Sequence, residues 1–315
     1  MSIVSILIVG AGAAGGYIGA QLVGAARPVT FLVHPHTLAR LRSDGLRIRH
    51  GDRIHTYEVN AVTATDLLGP YDVIVVAVRT DAVESAIGDI RNAVCPQTRI
   101  VPVMNGLRHL SLLTASFGNE RVLGAATRLV TSLLPDGTIN EVTAGIDMRI
   151  GQLDGGSSDA LHRTVAALDV NNIAVTVSSD VIAAMWEKFA FITSTAVLTC
   201  LVGEDIGEIA RTDGGTSLAH NVLDEVLSVA AADGYPLTDS AREGLTAILT
   251  DPSSDFGPSM FRDLSAGRPV EITVLTDLAD HARTHGINTP LLDASVVVID
   301  IHNRRVRSLT RPDVR

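Results

Sequence analysis

A largely apolar run, Ile3 to Val9, feeds straight into Gly10-Ala-Gly12-Ala-Ala-Gly15-Gly16-Tyr17, and then into apolar residues at helical spacing, Ile18, Leu22 and Val23. Few folds accept this order. An apolar run without alternation is the pattern of a strand buried on both faces of a parallel sheet. The glycines follow G-x-G-x-x-G between that strand and a helix, the context in which the motif binds a dinucleotide. Gly10 permits the tight turn, Gly12 lets the backbone approach a pyrophosphate, and Gly15 lets helix and strand pack closely. Phosphates then rest on the helix N-terminus, where free N–H groups and the dipole favour an anion. Gly10, Gly12, Ala13, Ala14 and Gly15 are therefore candidate cofactor contacts. The competing reading is a glycine-rich turn in an unrelated α/β protein, against which the correct placement of strand and helix argues.

The second strand spans Val29 to Val33. An NAD-binding domain usually ends this strand with an acid that holds the ribose 2′-hydroxyl. Here no acid lies between Gly10 and Asp44, and the strand ends at His34 with Arg40 and Arg42 following on a short helix. A missing carboxylate and nearby cations suit the 2′-phosphate of NADP(H); ordinary surface residues are the alternative, an even choice for Arg42. Arg47 to Val62 alternates polar and apolar residues and reads as a pair of edge strands. Tyr71 to Val78 is a buried strand ending at Arg79, and Arg99 to Val103 is another ending at Met104-Asn105-Gly106. Ligands bind off the carboxyl ends of such strands, which places Arg79 and Asn105 as candidates; Asn105-Gly106 also reads as a plain turn. Val122 to Thr131 and Ile146 to Ile150 are expected to complete the sheet, with a turn at Pro135-Asp136-Gly137.

Beyond Gly151 the strand pattern fades. Ser158 to Leu168 is a predicted helix, Ile173 to Val177 a short strand, and from Asp180 the chain is helical with breaks at Gly203, Gly214-Gly215, Gly234-Tyr235-Pro236 and Asp251-Pro252. The expected architecture is an α/β N-terminal domain, doubly wound on a mostly parallel sheet, over residues 1–178, followed by an all-α domain over 179–315.

The chain contains a single lysine, Lys188. Arginine cannot give up its proton in a protein, whereas burial and neighbours tune a lysine. Ile182, Met185, Trp186 and Phe189 recur around Lys188 at helical spacing, with Asp180 as N-cap. A lysine on such a helix either snorkels to solvent or lines a cleft.

Charge is uneven. Residues 1–150 hold 13 arginines against 12 acids, and residues 151–315 hold 12 basic residues against 23 acids. A near-neutral first half in an acidic protein suits an anionic ligand and argues against nucleic acid, which requires a strongly basic face. Two cysteines, Cys95 and Cys200, form no disulfide framework or CxxC metal spacing, so a reducing cytoplasm is the expected compartment. No signal peptide and no uninterrupted apolar run of transmembrane length is visible. His281 and His285 are four apart, a metal-compatible spacing, but as residues of the last turn of a helix ending at Gly286 they also suit its dipole. The arginine-rich tail after His302 reads as a solvated or frayed end.

The glycine fingerprint, Asn105-Gly106, Trp186-Glu187-Lys188, Ser259-Met-Phe-Arg-Asp263 through Glu271, and Gly286-Ile-Asn-Thr-Pro290 together resemble the ketopantoate reductase (2-dehydropantoate 2-reductase) family over nearly the whole chain. The resemblance implies a Rossmann domain followed by a helical domain, and NADPH-dependent reduction of a 2-keto acid to a 2-hydroxy acid. It implies Lys188 as general acid, Asn105 beside nicotinamide and substrate, and Ser259 with Glu271 as a substrate-orienting pair. Arg79 stands where the family commonly has lysine, His34 where it commonly has an arginine for the 2′-phosphate, and Asp263 at a structural position. The family usually offers two asparagines after the catalytic lysine; here Ile192 and Ala196 occupy those positions, with Thr193, Ser194, Thr195 and Thr199 as substitute hydroxyls. A small keto acid is the implied partner, the helical domain is compatible with a monomer or a homodimer, and a non-catalytic NADP-binding sensor is the alternative from another functional class.

Overall fold

The computed structural model describes residues 4–310. Its strands are β1 (Ile6–Val9), β2 (Val29–Leu32), β3 (Leu46–His50), β4 (Arg53–Tyr57), β5 (Asn60–Val62), β6 (Val73–Val76), β7 (Arg99–Pro102), β8 (Leu123–Arg128), β9 (Thr131–Leu133), β10 (Ile139–Glu141), β11 (Ile146–Gln152) and β12 (Ile173–Val177). Its helices are α1 (Ala13–Gly24), α2 (Pro35–Asp44), α3 (Val83–Ile90), α4 (Arg108–Phe117), α5 (Asp159–Leu168), α6 (Val181–Val202), α7 (Ile206–Arg211), α8 (Gly215–Ala232), α9 (Asp239–Leu249), α10 (Ser259–Ser265), α11 (Thr273–Thr284) and α12 (Pro290–Thr310).

The central sheet is parallel, in the order β5-β2-β1-β6-β7, with Ile6 paired to Val29 on one side and Val73 on the other. Its three inner strands are buried throughout, and the period of two divides their side chains between two cores. Ile6, Ile8, Val73 and Val75 join the α1 side, while Leu7, Val9, Ile74 and Val76 join the side of α3 and α4.

The remaining strands depart from expectation. Residues 46–62 form three strands rather than two edge strands. β5 extends the central sheet beside β2, whereas β3 and β4 form a hairpin in a second sheet, β4-β3-β10-β9. The cause is the alternation itself: Leu46 and Ile48 are buried between the half-exposed Arg47 and Arg49, so this sheet has one apolar face, and it packs on α1. β8 and β11 do not complete the central sheet. They pair antiparallel in a third sheet with β12, and only an isolated bridge, Ile100 to Val122, reaches back.

The chain divides into two compact units, residues 1–104 with 108–185, and residues 105–107 with 186–315. The division runs through α6 rather than ahead of it at 178, because α6 is one continuous helix across that point. Asp180 caps it, accepting the Ala183 N–H at 3.1 Å. By length and composition α6 could cross a membrane, but most of it is buried in the protein, as befits a core helix. In the second unit α8 packs against α7, α9, α11 and α12. Glu225 on α8 accepts the Leu291 and Leu292 N–H groups at 3.0 and 3.1 Å, satisfying donors at the start of α12. Of the expected solvated or frayed end, the tail is solvated but not frayed: Arg304, Arg305 and Arg307 are exposed on α12, which runs to Thr310, and Arg304 pairs with Asp300 one turn back. Arg311 and Arg315 lie outside the described residues.

Candidate active site

In the first unit the glycine turn is built as its residue types demand. Gly10 has φ +95°, and a Cβ there would lie 2.8 Å from the Ala77 carbonyl oxygen. A Cβ on Gly15 would fall on the Gly10 carbonyl and within 2.9 Å of Ala77 Cβ. At Gly12, by contrast, a Cβ would meet nothing within 4 Å. Gly12 is the N-cap of α1 and supplies no side-chain acceptor, and the first turn, with Ala13 and Ala14, holds no acid. The first N–H groups of α1 are thus left for an external acceptor, the arrangement that suits a phosphate.

His34 is exposed at the N-cap of α2, its ring stacked on His36 with centroids 6.0 Å apart. Arg40 is half-buried, and its guanidinium lies over the turn at Gly137. Arg79 is exposed beyond β6 and touches Asp81 at 3.5 Å. His109 is fully buried on α4.

In the second unit Lys188 is half-buried on α6, and burial pulls its ammonium from the ordinary lysine range down to about 8. The turns around it are held by Trp186, which is fully buried, stacks on Tyr235 with ring centroids 6.2 Å apart, and meets Phe189 at 5.5 Å. Glu271 precedes α11. Its neighbour Val270 is gripped by Asn303 of α12, whose amide accepts the Val270 N–H at 2.8 Å and donates to the Val270 carbonyl at 3.0 Å. Ser259 is the exposed first residue of α10, on a turn closed by Arg262 donating to the Gly257 carbonyl at 2.8 Å. Asp263 accepts two hydrogen bonds from Arg268, at 2.9 and 2.8 Å. Asn105, although it follows β7 in the chain, belongs to the same compact unit as Lys188, Ser259 and Glu271.

Three of the four substitute hydroxyls are engaged within their own helix, while Ser194 is fully buried with no hydrogen-bond partner for its Oγ among the described residues. Thr193, Thr195 and Thr199 are fully buried and donate back to the carbonyls of Phe189, Phe191 and Thr195 at 2.7, 2.8 and 2.7 Å, the usual fate of hydroxyls within a helix. Ala196 is fully buried as well, whereas Ile192 is partly exposed. His281 and His285 both reach Asp233, at 2.9 and 2.6 Å.

Two features escaped the sequence reading. Asn303 sits in a helix that shows only an apolar stripe and a basic end. Asp277 is a buried carboxylate, 5% exposed, that accepts the Leu107 N–H at 2.7 Å. An acid inside the apolar stripe of α11, among Val274, Leu275, Leu278 and Ala282, was the available signal.

The sequence pattern described as "Ketopantoate reductase PanE/ApbA" matches residues 6–155, and its C-terminal counterpart matches residues 180–302. The chain belongs to the ketopantoate reductase family. It is an oxidoreductase of that family, with the family's parallel-sheet α/β domain and helical C-terminal domain. A curated relative, the "Uncharacterized oxidoreductase YkpB" of Bacillus subtilis, is 27% identical over 91% of this chain and 95% of its own length. A 2-dehydropantoate 2-reductase of Halobacterium salinarum is 25% identical over the same shares. Among solved structures, a D-mandelate dehydrogenase with NADH and anilino(oxo)acetate superposes with a TM-score of 0.86, covering 96% of this chain and 99% of that one. At 17% identity that likeness shows the fold alone.

Proposed function

We propose that this chain is an NADPH-dependent reductase of a 2-keto acid, working in the cytoplasm. The observation that carries the reading is Lys188: the sole lysine, on a family helix, with an ammonium drawn by burial to about 8. A group at that value is protonated at neutral pH yet releases its proton readily, the balance a general acid requires. A nicotinamide cofactor held at the glycine turn would supply the hydride for the ketone carbon. Lys188 stabilises the negative charge that develops on the ketone oxygen and donates the proton to it. Glu271, held through Val270 and Asn303, keeps the lysine oriented, while Asn105 and Ser259 fix the substrate. Gly10, Gly12, Ala13, Ala14 and Gly15 hold the pyrophosphate, Arg40 and Arg79 provide positive charge toward the phosphates, and His34 offers its ring N–H as a donor.

The substrate follows from Ile192. With Ala196 inside the core and the hydroxyls of Thr193, Thr195 and Thr199 turned back on the helix, the branched sec-butyl side chain of Ile192 replaces the family's amides. This supports a keto acid with a bulkier, less polar substituent than ketopantoate, because an apolar side chain offers no hydrogen bond to a substrate hydroxyl that it desolvates. Steady-state NADPH oxidation across a panel of 2-keto acids of graded size and polarity tests the reading. Saturable turnover of an apolar member supports it. Tight NADPH binding with no turnover of any member would replace it with a sensor role.

A further inference from the structure

Asp277 is an expensive residue for its place. A buried carboxylate costs free energy unless its oxygens are engaged, and the other buried residues of α11, Val274, Leu275, Leu278, Ala279 and Ala282, are all apolar. Its Oδ2 accepts the Leu107 N–H at 2.7 Å. Gly106, with φ +76°, brings its backbone so near that a Cβ would lie 2.8 Å from the same oxygen. The Asn105-Gly106-Leu107 segment is therefore moulded on Asp277 as well as turned by its glycine.

One turn further along α11, His281 places Nε2 3.9 Å from Asp277 Oδ1 and Nδ1 2.9 Å from Asp233 Oδ2. Its ring meets Trp186 edge-on, with centroids 5.2 Å apart at 76°. Trp186 is two residues from Lys188 on α6. A single turn of one rigid helix thus holds the Asn105 segment with one side chain and the Lys188 helix with the next.

We infer that Asp277 and His281 are positioning residues that set Asn105 against Lys188, Asp277 by anchoring the Leu107 amide and His281 by seating Trp186. The inference rests on the roles proposed above for Asn105 and Lys188, but the anchor itself is measurable without them. A reactant misplaced by about 1 Å can lose about 100-fold in rate, so the anchor acts on kcat more than on cofactor binding.

The test uses the full chain. Hydrogen exchange of the segment around Leu107, kcat and KM on the best keto acid of the panel, and NADPH affinity are measured for Asp277→Ala, Asp277→Asn and Gly106→Ala. Asp277→Ala is expected to expose the Leu107 amide to exchange and to lower kcat about 10- to 100-fold, with NADPH affinity unchanged. Asp277→Asn keeps an acceptor oxygen and is expected to restore amide protection and most of kcat, a rescue that a purely structural carboxylate has no reason to show. Gly106→Ala, which forces the segment off Asp277 without touching α11, is expected to reproduce the kcat loss; it decides the matter if Asp277→Ala does not fold. His281→Leu is expected to shift the emission of Trp186, the only tryptophan, and to lower kcat.

Unchanged Leu107 protection in Asp277→Ala would overturn the anchor. A lost anchor with kcat retained would overturn the positioning role, as would full activity in Gly106→Ala. If the parent protein turns over no keto acid, the proposed function fails, and exchange at Leu107 alone still decides whether Asp277 anchors the segment.

Discussion

Lys188 donates a proton in the proposed reaction, and arginine cannot take its place. Lys188→Arg keeps the charge and most of the stem but holds its proton. We expect kcat to fall by about 10²- to 10⁴-fold, the usual share of a general acid, with NADPH affinity unchanged; kcat within a few-fold of the parent would remove the role. The pH profile carries the same residue's signature. Burial disfavours the charged form and lowers the pKa from 10.5 to about 8. The donor is therefore loaded below pH 8 and empty above it, so ketone reduction should decline with a one-proton slope as pH rises through 8, and alcohol oxidation should rise over the same range. A profile flat to pH 10 would contradict this. Ile192→Asn restores one amide at a partly exposed position and is expected to raise kcat/KM for ketopantoate by about tenfold or more, since one added substrate hydrogen bond is worth at least that in discrimination. Unaltered specificity would show that Ile192 does not face the substrate.

At the scale of elements, the clasp between α12 and the segment before α11 is the most exposed to test. Asn303 is 3% exposed and satisfies both polar groups of Val270. Asn303→Ala leaves the buried Val270 N–H unpaired, at a cost of about 1–3 kcal/mol, leaves the Val270 carbonyl only the Ile272 N–H at 2.9 Å, and frees Glu271. A lower urea midpoint together with a reduced kcat is expected. Loss of stability with kcat intact would mean that Glu271 needs no such support.

For the whole molecule, cofactor choice is the broadest consequence of the missing acid after β2. A ligand that binds only the native state raises stability by about 2.7 kcal/mol at 100 times its Kd. NADPH is expected to raise the thermal midpoint more than NADH at equal concentration, since no acid follows β2 to hold a ribose 2′-hydroxyl and His34 is exposed there. Equal shifts would sink the assignment to NADP(H).

Local rules made much of this protein legible from residue order. The glycine turn, the buried strands β1, β2, β6 and β7, and the helical breaks after residue 180 follow from side-chain period and from backbone angles that glycine and proline control. Lys188 stood out because it is the only residue of its kind. The partition of strands among three sheets did not follow, because a short strand's sequence states which faces are buried but not which partner supplies its hydrogen bonds. Nor did the fate of Thr193, Thr195 and Thr199, whose hydroxyls had a nearer acceptor in their own helix. Asp277 and Leu107 are 170 residues apart, and Asn303 and Val270 are 33 apart. What a buried polar side chain does depends on the backbone group that packing delivers to it, and only the tertiary structure decides that.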